Sequence, residues 1–338
     1  MKNAAWVIAH PSRGEYRSDC LRWEERDVRP LRDGEVLIKT LLISLDPTSR
    51  NWLKLEPSST FLPLAVGDVM IGQAVGIVES SNSADFERGD LVKGMWGWER
   101  YSIVQPFLLE RILNVKPVPL ETHLSIFSHI GRAAAIGIFE IGKIAKNDVV
   151  VVSGAAGATG SLAAQMAKAQ GNRVIGIAGG AEKCARLLNE FGLDAAIDYK
   201  LEDVSEALSR LCPDGIDVYF DNVGGAILDA VLENMAVGCR IVICGAMSQY
   251  DLVDQAQAYG CKNLPQLLFK RARLQGFVVP DFSSRMGEFD AILEGLFEQG
   301  KIYHRAHIVE GLEAAPEALK HVLRGSNDGK LMVRVAAL

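Results

Sequence analysis

Residues Ser153-Gly154-Ala155-Ala156-Gly157-Ala158-Thr159-Gly160 constrain this chain more than any other stretch of it. They follow four consecutive valines, Val149 to Val152, and precede Ser161 to Gln170, where Leu162, Met166 and Ala169 fall at helical spacing. Gly171 then stops the helix. A buried strand, a glycine-bearing turn and a helix in that order form the turn that holds a dinucleotide pyrophosphate, here with Ala155 in place of the first glycine. Gly157 lets backbone N–H groups approach the phosphates, Gly160 lets helix and strand pack closely, and the positive helix end faces the negative charge. The competing reading is a tight turn with no ligand, and the ordered strand, turn and helix speak against it. Gly157, Ala158, Thr159 and Gly160 are the candidate phosphate contacts.

The same rhythm continues downstream. Val149 to Ser153, Arg173 to Ala178, Ala195 to Asp198, Ile216 to Asp221, Arg240 to Gly245 and Leu274 to Val279 read as six strands. Ala181 to Phe191 repeats the helical design and stops at Gly192. Parallel neighbours need crossovers and crossovers are usually helices, so six strands alternating with helices predict a doubly wound α/β sheet. The first 120 residues differ, alternating short apolar runs (Val36 to Ile43, Ala74 to Val78, Leu91 to Val92, Tyr101 to Val104) with Gly, Pro, Asp and Asn. That half reads as β-rich and barrel-like. After Ile302 short apolar segments return, such as Leu331 to Ala336, which predicts that the C-terminus rejoins the first domain. The 338 residues exceed what one core of about 150 residues serves, so two domains are expected: residues 1–121 with 306–338, and residues 122–305.

Composition removes whole classes of function. With 36 basic and 42 acidic residues the net charge is -6, and no Lys/Arg run is present to neutralise a nucleic-acid backbone. No stretch approaches the roughly 20 apolar residues of a membrane span, and the N-terminal apolar run is too short for a signal peptide, so a cytoplasmic protein is expected. It reads as an edge strand. The six cysteines, Cys20, Cys184, Cys212, Cys239, Cys244 and Cys261, include no CxxC pair, so neither a disulfide framework nor a structural zinc site is expected.

Cofactor choice is readable at the end of the second strand, where an NAD site places an acid for the ribose hydroxyls. Here Ala178-Gly179-Gly180 ends the strand and Lys183 follows in the next helix, so a 2′-phosphate meets a cation and NADP(H) is expected. Lys183 as a solvated surface lysine is the alternative.

At this point the chain resembles the medium-chain dehydrogenase/reductase superfamily, in its zinc-free branch of prostaglandin reductases, 2-alkenal double-bond reductases and curcumin reductase. Nearly the whole chain carries the resemblance. It rests on the phosphate turn, Asp46-Pro47-Thr48-Ser49-Arg50, Gly67-Asp68-Val69-Met70, Gly94-Met95-Trp96-Gly97-Trp98-Glu99-Arg100-Tyr101, Gly179-Gly180-Ala181-Glu182-Lys183, Phe220-Asp221-Asn222-Val223-Gly224-Gly225 and Gly276-Phe277-Val278-Val279. It implies a Rossmann domain beside a GroES-like barrel domain, and homodimers paired through the edge of the Rossmann sheet. It further implies that Lys183 and Tyr199 hold the 2′-phosphate and that Asn222 lies along the cofactor. Cys244, Gly245, Ala246, Ser248 and Tyr250 would run past the ribose and nicotinamide, Phe277, Val278 and Val279 would back the ring, and Asn327 would reach in from the C-terminal segment. Asn222 and Asn327 read equally well as plain turn residues, and Phe277 to Val279 as core. The branch commonly has an aromatic residue after Asp-Pro and a Thr-Ala-Tyr sequence, where this chain has Thr48 and Ala133-Ala134-Ala135, which implies a wider pocket. Some relatives place a tyrosine where Phe269 stands, so no proton donor carries over there.

Zinc-dependent relatives have Gly-His-Glu where this chain has Gly72-Gln73-Ala74, and a four-cysteine lobe where residues 85 to 111 contain none. The six histidines, His10, His123, His129, His304, His307 and His321, sit at no metal spacing, and no Ser-His-Asp elbow is visible. The expected chemistry is zinc-free hydride transfer from NADPH to the β-carbon of an α,β-unsaturated ketone or aldehyde. It needs orientation of two reactants and a hydrogen bond to the developing enolate. Tyr250 is the candidate donor, with a rim aromatic as the other reading. Thr48, Arg50, Trp52, Phe61, Met70, Trp96 and Phe269 are candidates to line an apolar cleft between the domains, against plain core packing for each. Two rival functions stay open: an NADPH-dependent quinone reductase on the same fold, and a protein that binds NADPH without turnover.

Overall fold

In strands buried on both faces, apolar side chains stop alternating and run together, and the valines before the phosphate turn do so. A computed structural model of the protein describes residues 1–12, 14–54, 63–113, 118–250, 252 and 255–338. In chain order the first elements are β1 (Lys2–Ile8), β2 (Leu21–Asp27), β3 (Val36–Ser44), α1 (Ser49–Trp52), β4 (Ile71–Ser81), β5 (Leu91–Gly97), β6 (Tyr101–Val104), β7 (Leu109–Arg111) and α2 (Leu120–His123). The middle of the chain forms α3 (His129–Ala135), β8 (Val149–Ser153), α4 (Ala158–Ala169), β9 (Arg173–Ala178), α5 (Ala181–Asn189), β10 (Ala195–Asp198), α6 (Val204–Leu211) and β11 (Ile216–Asp221). It continues through α7 (Gly225–Glu233), β12 (Met235–Ile243), α8 (Gln266–Lys270), β13 (Arg273–Gly276) and α9 (Met286–Glu298). The chain closes with β14 (Ala306–Glu310), α10 (Ala315–Leu323) and β15 (Lys330–Arg334). No described helix is long and apolar enough to cross a membrane.

These elements divide into two units, Met1–Leu124 with Arg305–Leu338, and Ser125–His304. The first unit is β-rich. Its larger sheet runs β14-β15-β3-β4-β5-β7, with β6 also paired to β3, and β1 and β2 form an antiparallel pair. β15 inserts beside β3, which ties the C-terminal segment into the N-terminal sheet. Its core includes Ile38, Ile43, Met70, Val78, Trp96, Trp98 and Leu331.

The second unit is a parallel sheet in the order β10-β9-β8-β11-β12-β13. Renumbered from its first strand this is 3-2-1-4-5-6, the doubly wound dinucleotide-binding order. Helices cover both faces, with Leu162, Met166, Phe220 and Leu293 in the core on one and Ile177, Leu208, Tyr219 and Val231 in the core on the other. The order reverses between β8 and β11, and ligands of such sheets bind outside the strand ends at that reversal.

Two strand expectations are corrected. β12 runs Met235–Ile243 and not to Gly245, because the N–H groups of Cys244 and Gly245 converge on a single carbonyl at the end of β11, Asp221 O, at 2.9 and 3.0 Å, which breaks the regular ladder spacing. β13 stops at Gly276, short of Val279, because Pro280 has no N–H for a ladder and sits in the first turn of a 3₁₀ helix, Val279–Arg285.

Candidate cofactor site and active-site loop

The phosphate turn is built by short-range geometry. β8 ends at Ser153, the Gly157 N–H donates to Gly154 O at 2.9 Å, and α4 begins at Ala158. Gly160 is the position of close approach: a Cβ there would stand 2.3 Å from Gly154 O, so only glycine lets α4 dock onto the turn. The helix cap is Gly157, which has no side chain to satisfy the first-turn N–H groups. Those donors and the positive helix end suit a pyrophosphate, so the residues present fit a dinucleotide. Ala155, in the place of a glycine, is buried with its N–H donated to Ile177 O at 3.1 Å, which anchors the turn to β9.

The second turn lies beside it. Asp198 of β10 pairs in register with Ala178 of β9, and the Tyr199 N–H donates to Ala178 O at 3.2 Å. A Cβ on Gly179 would stand 2.8 Å from Tyr199 Cε1, so the tyrosine ring lies against bare backbone. Lys183 sits in the first turn of α5, which starts at Ala181. Two residues here escaped sequence reasoning, Asp198 and Lys200. The Gly180 N–H donates to Asp198 Oδ1 at 2.9 Å, so the acid missing from the end of β9 is replaced by one on β10 that binds backbone. The adjacent Asp198-Tyr199-Lys200 at a strand end was the available signal.

The loop after β11 hangs on one carboxylate. Asp221 is fully buried, and its Oδ1 accepts from Ser153 Oγ (2.9 Å), Tyr219 OH (2.8 Å) and the N–H groups of Val223 and Gly224 (2.9 Å each). It thereby joins the end of β8, where the phosphate turn opens, to the end of β11. Asn222 is assigned by the structure to this junction: its amide donates to Ser153 O at 2.7 Å, as a turn residue would. Ser248 joins the same loop, its Oγ donating to Val223 O at 2.6 Å. The Cys244 thiol is pushed up to about 12 by burial, helped by nearby Asp221, so it stays protonated and is a poor nucleophile. The Tyr250 hydroxyl accepts the Ala246 N–H at 3.3 Å and packs close to Gly245, holding the phenol over its own loop. Burial raises its pKa, the Ala246 bond opposing, so the side chain is a neutral phenol.

Phe277 follows β13 directly, one residue past the Gly276 that pairs in register with Ile243 at the end of β12. Phe277 is half-buried, packs edge to face on Phe282 at 6.5 Å and lies against the core, and Val278 and Val279 follow outside any strand. The Asn327 amide donates to Gly329 O at 2.6 Å, the role of a turn residue. The pocket expectation is corrected for three positions: Arg50, Met70 and Trp96 are buried too completely to touch a ligand. The Arg50 guanidinium donates to the carbonyls of Ser12 and Gly14, Met70 fills the core, and Trp96 Nε1 donates to Thr40 Oγ1 at 3.0 Å. Phe269 is 65% exposed on α8. Thr48 precedes α1, Trp52 packs at the edge of the core, and Phe61 lies outside the described residues. Asp46 accepts from Lys330 Nζ and Ser44 Oγ, a buried link from the Asp-Pro corner to β15 that motif reading missed. Among the described residues no three His, Cys, Asp or Glu side chains gather as metal ligands.

Comparison with known proteins extends this geometry. Residues 4–112 match a family described as the N-terminal domain of oxidoreductase, and residues 158–295 one described as zinc-binding dehydrogenase. The chain is 37% identical over 340 residues to the NADPH-dependent curcumin reductase of Escherichia coli (strain K12), covering 99% of this chain and 97% of that one. It is 40% identical over 308 residues to the 2-alkenal reductase (NADP(+)-dependent) of Nicotiana tabacum, covering 91% and 89%. The crystal structure of CurA in complex with NADPH from Vibrio vulnificus superposes with a TM-score of 0.93 at 36% identity, over 99% of this chain and 100% of that one. The dinucleotide turn, the strand order and these full-length likenesses together show that the chain belongs to the medium-chain dehydrogenase/reductase superfamily, in the branch that holds the curcumin and 2-alkenal reductases.

Proposed function

We propose that this protein is an NADPH-dependent reductase of the C=C bond of α,β-unsaturated ketones or aldehydes, working without zinc. The observation that carries the reading is the turn at the end of β9. It has no carboxylate of its own, carries Tyr199 against Gly179, and is followed by Lys183 in α5. Relatives named for curcumin and 2-alkenal reduction support the substrate class. NADPH, when bound, supplies a hydride to the β-carbon of the substrate. The protein's part is to seat the cofactor by the phosphate turn and the loop from Cys244 to Tyr250, and to stabilise the oxygen on which charge collects. Tyr250, kept neutral by burial, is the phenol we assign to that oxygen. The α-carbon then takes a proton to give the saturated carbonyl.

The setting we propose is the cytoplasm, where the six cysteines, none of them in a disulfide, stay reduced. The proposed assembly is a homodimer. A screen of NADPH oxidation against 2-alkenals, enones, chalcone-like compounds and quinones tests the activity. A saturated carbonyl product is expected. Hydroquinone formation with alkenals untouched would make the protein a quinone reductase, and NADPH binding with no acceptor consumed would make it a binding protein without turnover.

A further inference from the structure

Two loops leave the sheet side by side after β9 and β10, and one buried side chain fixes how they meet. Asp198 Oδ1 accepts the Gly180 N–H at 2.9 Å from the first loop and the Lys200 N–H at 3.1 Å from the second. The other oxygen, Oδ2, is enclosed and has no hydrogen-bond partner. Asp198 is therefore committed to backbone, and its carboxylate does not face outward as an acceptor for ribose hydroxyls. Above it the loops touch at Gly179. A Cβ there would stand 2.9 Å from Lys200 Cε as well as 2.8 Å from Tyr199 Cε1, so the lysine stem crosses the bare glycine backbone. Its ammonium is one bond beyond Cε, and the residue is exposed. Lys183 belongs to the same turn through the first turn of α5.

A phosphate monoester carries about 1.5 to 2 negative charges at neutral pH, more than one lysine balances. We propose that Lys200 is a second cation for the 2′-phosphate of NADPH, laid over Gly179 by Asp198, which acts as a positioning residue. The inference rests on the NADPH reading above and adds to it the residues that discriminate against NADH. Charge-assisted contacts with phosphate are among the stronger polar interactions, and this one exists only when the 2′-phosphate does.

Calorimetric titration of the whole protein with NADPH, NADH, adenosine 2′,5′-bisphosphate and 5′-AMP tests it without using turnover. Lys200→Met keeps the stem and deletes the charge. It is expected to weaken NADPH and the bisphosphate about 10-fold to 100-fold while NADH and 5′-AMP stay within about twofold. Lys200→Arg should restore the bisphosphate to within about threefold of wild type. Asp198→Ala should lower the NADPH-to-NADH preference about as far as Lys200→Met does, and Asp198→Asn, whose amide oxygen still accepts both N–H groups, should retain it. A bisphosphate affinity unchanged in Lys200→Met, or an equal loss for NADH, would overturn the role of Lys200 while leaving the NADPH reading intact. Should Asp198→Ala not fold, an Asp198→Asn protein that loses the preference overturns the positioning role. Wild-type protein that binds 5′-AMP as tightly as the bisphosphate would overturn the cofactor reading itself.

Discussion

Tyr250 keeps its proton because burial disfavours the phenolate, and an enolate oxygen needs a proton-bearing partner. Loss of one such donor typically costs on the order of 100-fold to 1000-fold in turnover. Tyr250→Phe deletes only the hydroxyl, so kcat should fall by about that factor with NADPH affinity near wild type. A change below about threefold, roughly 0.65 kcal/mol, would hand the task to the cofactor ribose or water and leave Tyr250 as packing. Lys183→Ala should weaken NADPH about 10-fold to 150-fold, the equivalent of a charge-assisted contact of about 1.5 to 3 kcal/mol, with NADH nearly unmoved. Equal weakening of both cofactors in a titration would show a lysine that supports the fold of α5 and does not read phosphate. Arg50 marks the limit of motif reasoning: its place in Asp46-Pro47-Thr48-Ser49-Arg50 suggested a pocket, yet the side chain is buried and its guanidinium donates to the carbonyls of Ser12 and Gly14.

At the scale of the element, α2 ends at His123, whose pKa burial lowers to about 4, with Lys93 adding repulsion. The unfolded chain regains the ordinary value near 6.5, so between about pH 6.5 and 4 it binds a proton that the folded state refuses. Stability is therefore full above about pH 6.5 and falls as the pH falls. From pH 7 to pH 5 the loss is about 1 kcal/mol after discounting for the side chain's partial exposure. His123→Gln should flatten that part of the denaturant-midpoint profile, and an unchanged slope would place the effect elsewhere. Elements of this unit and the next were legible to different degrees for physical reasons. β8, β9, β10 and β11 were read with their observed ends because both faces are buried and apolar runs announce such strands. The phosphate turn was legible because its contacts are local. The end of β13 was not, since Phe277 to Val279 look like strand until Pro280 diverts the backbone. The carboxylate hubs were invisible for another reason: Asp198 reaches Gly180 across 18 positions, Asp221 reaches Ser153 across 68 and Lys330 reaches Asp46 across 284. Such pairings are set by strand order, which local pattern does not encode.

For the whole molecule, the six-stranded sheet ends in β13, which pairs with β12 on one side and, among the described residues, has no strand on the other. All four of its residues are exposed, Leu274 among them, and the preceding helix α8 carries two exposed apolar side chains, Leu268 and Phe269, 74% and 65% exposed. An open strand edge that carries an exposed apolar side chain invites pairing, and proteins that stay monomeric usually blunt such an edge with charge, proline or a covering segment. A second copy satisfies it economically, because an edge strand laid antiparallel against itself by a two-fold axis offers each copy the donors and acceptors it lacks. The homodimer we propose is built this way. Light scattering at micromolar concentration should give twice the mass of the chain. Leu274→Lys combined with Leu268→Lys places charge on strand and helix together and should shift the protein to monomers. NADPH affinity should stay within about twofold, since the phosphate turn belongs to β8 and α4 and a surface change well away from it leaves the binding energy nearly additive. Monomeric wild-type protein would refute the dimer outright. A dimer that survives both lysines would move the interface to another surface.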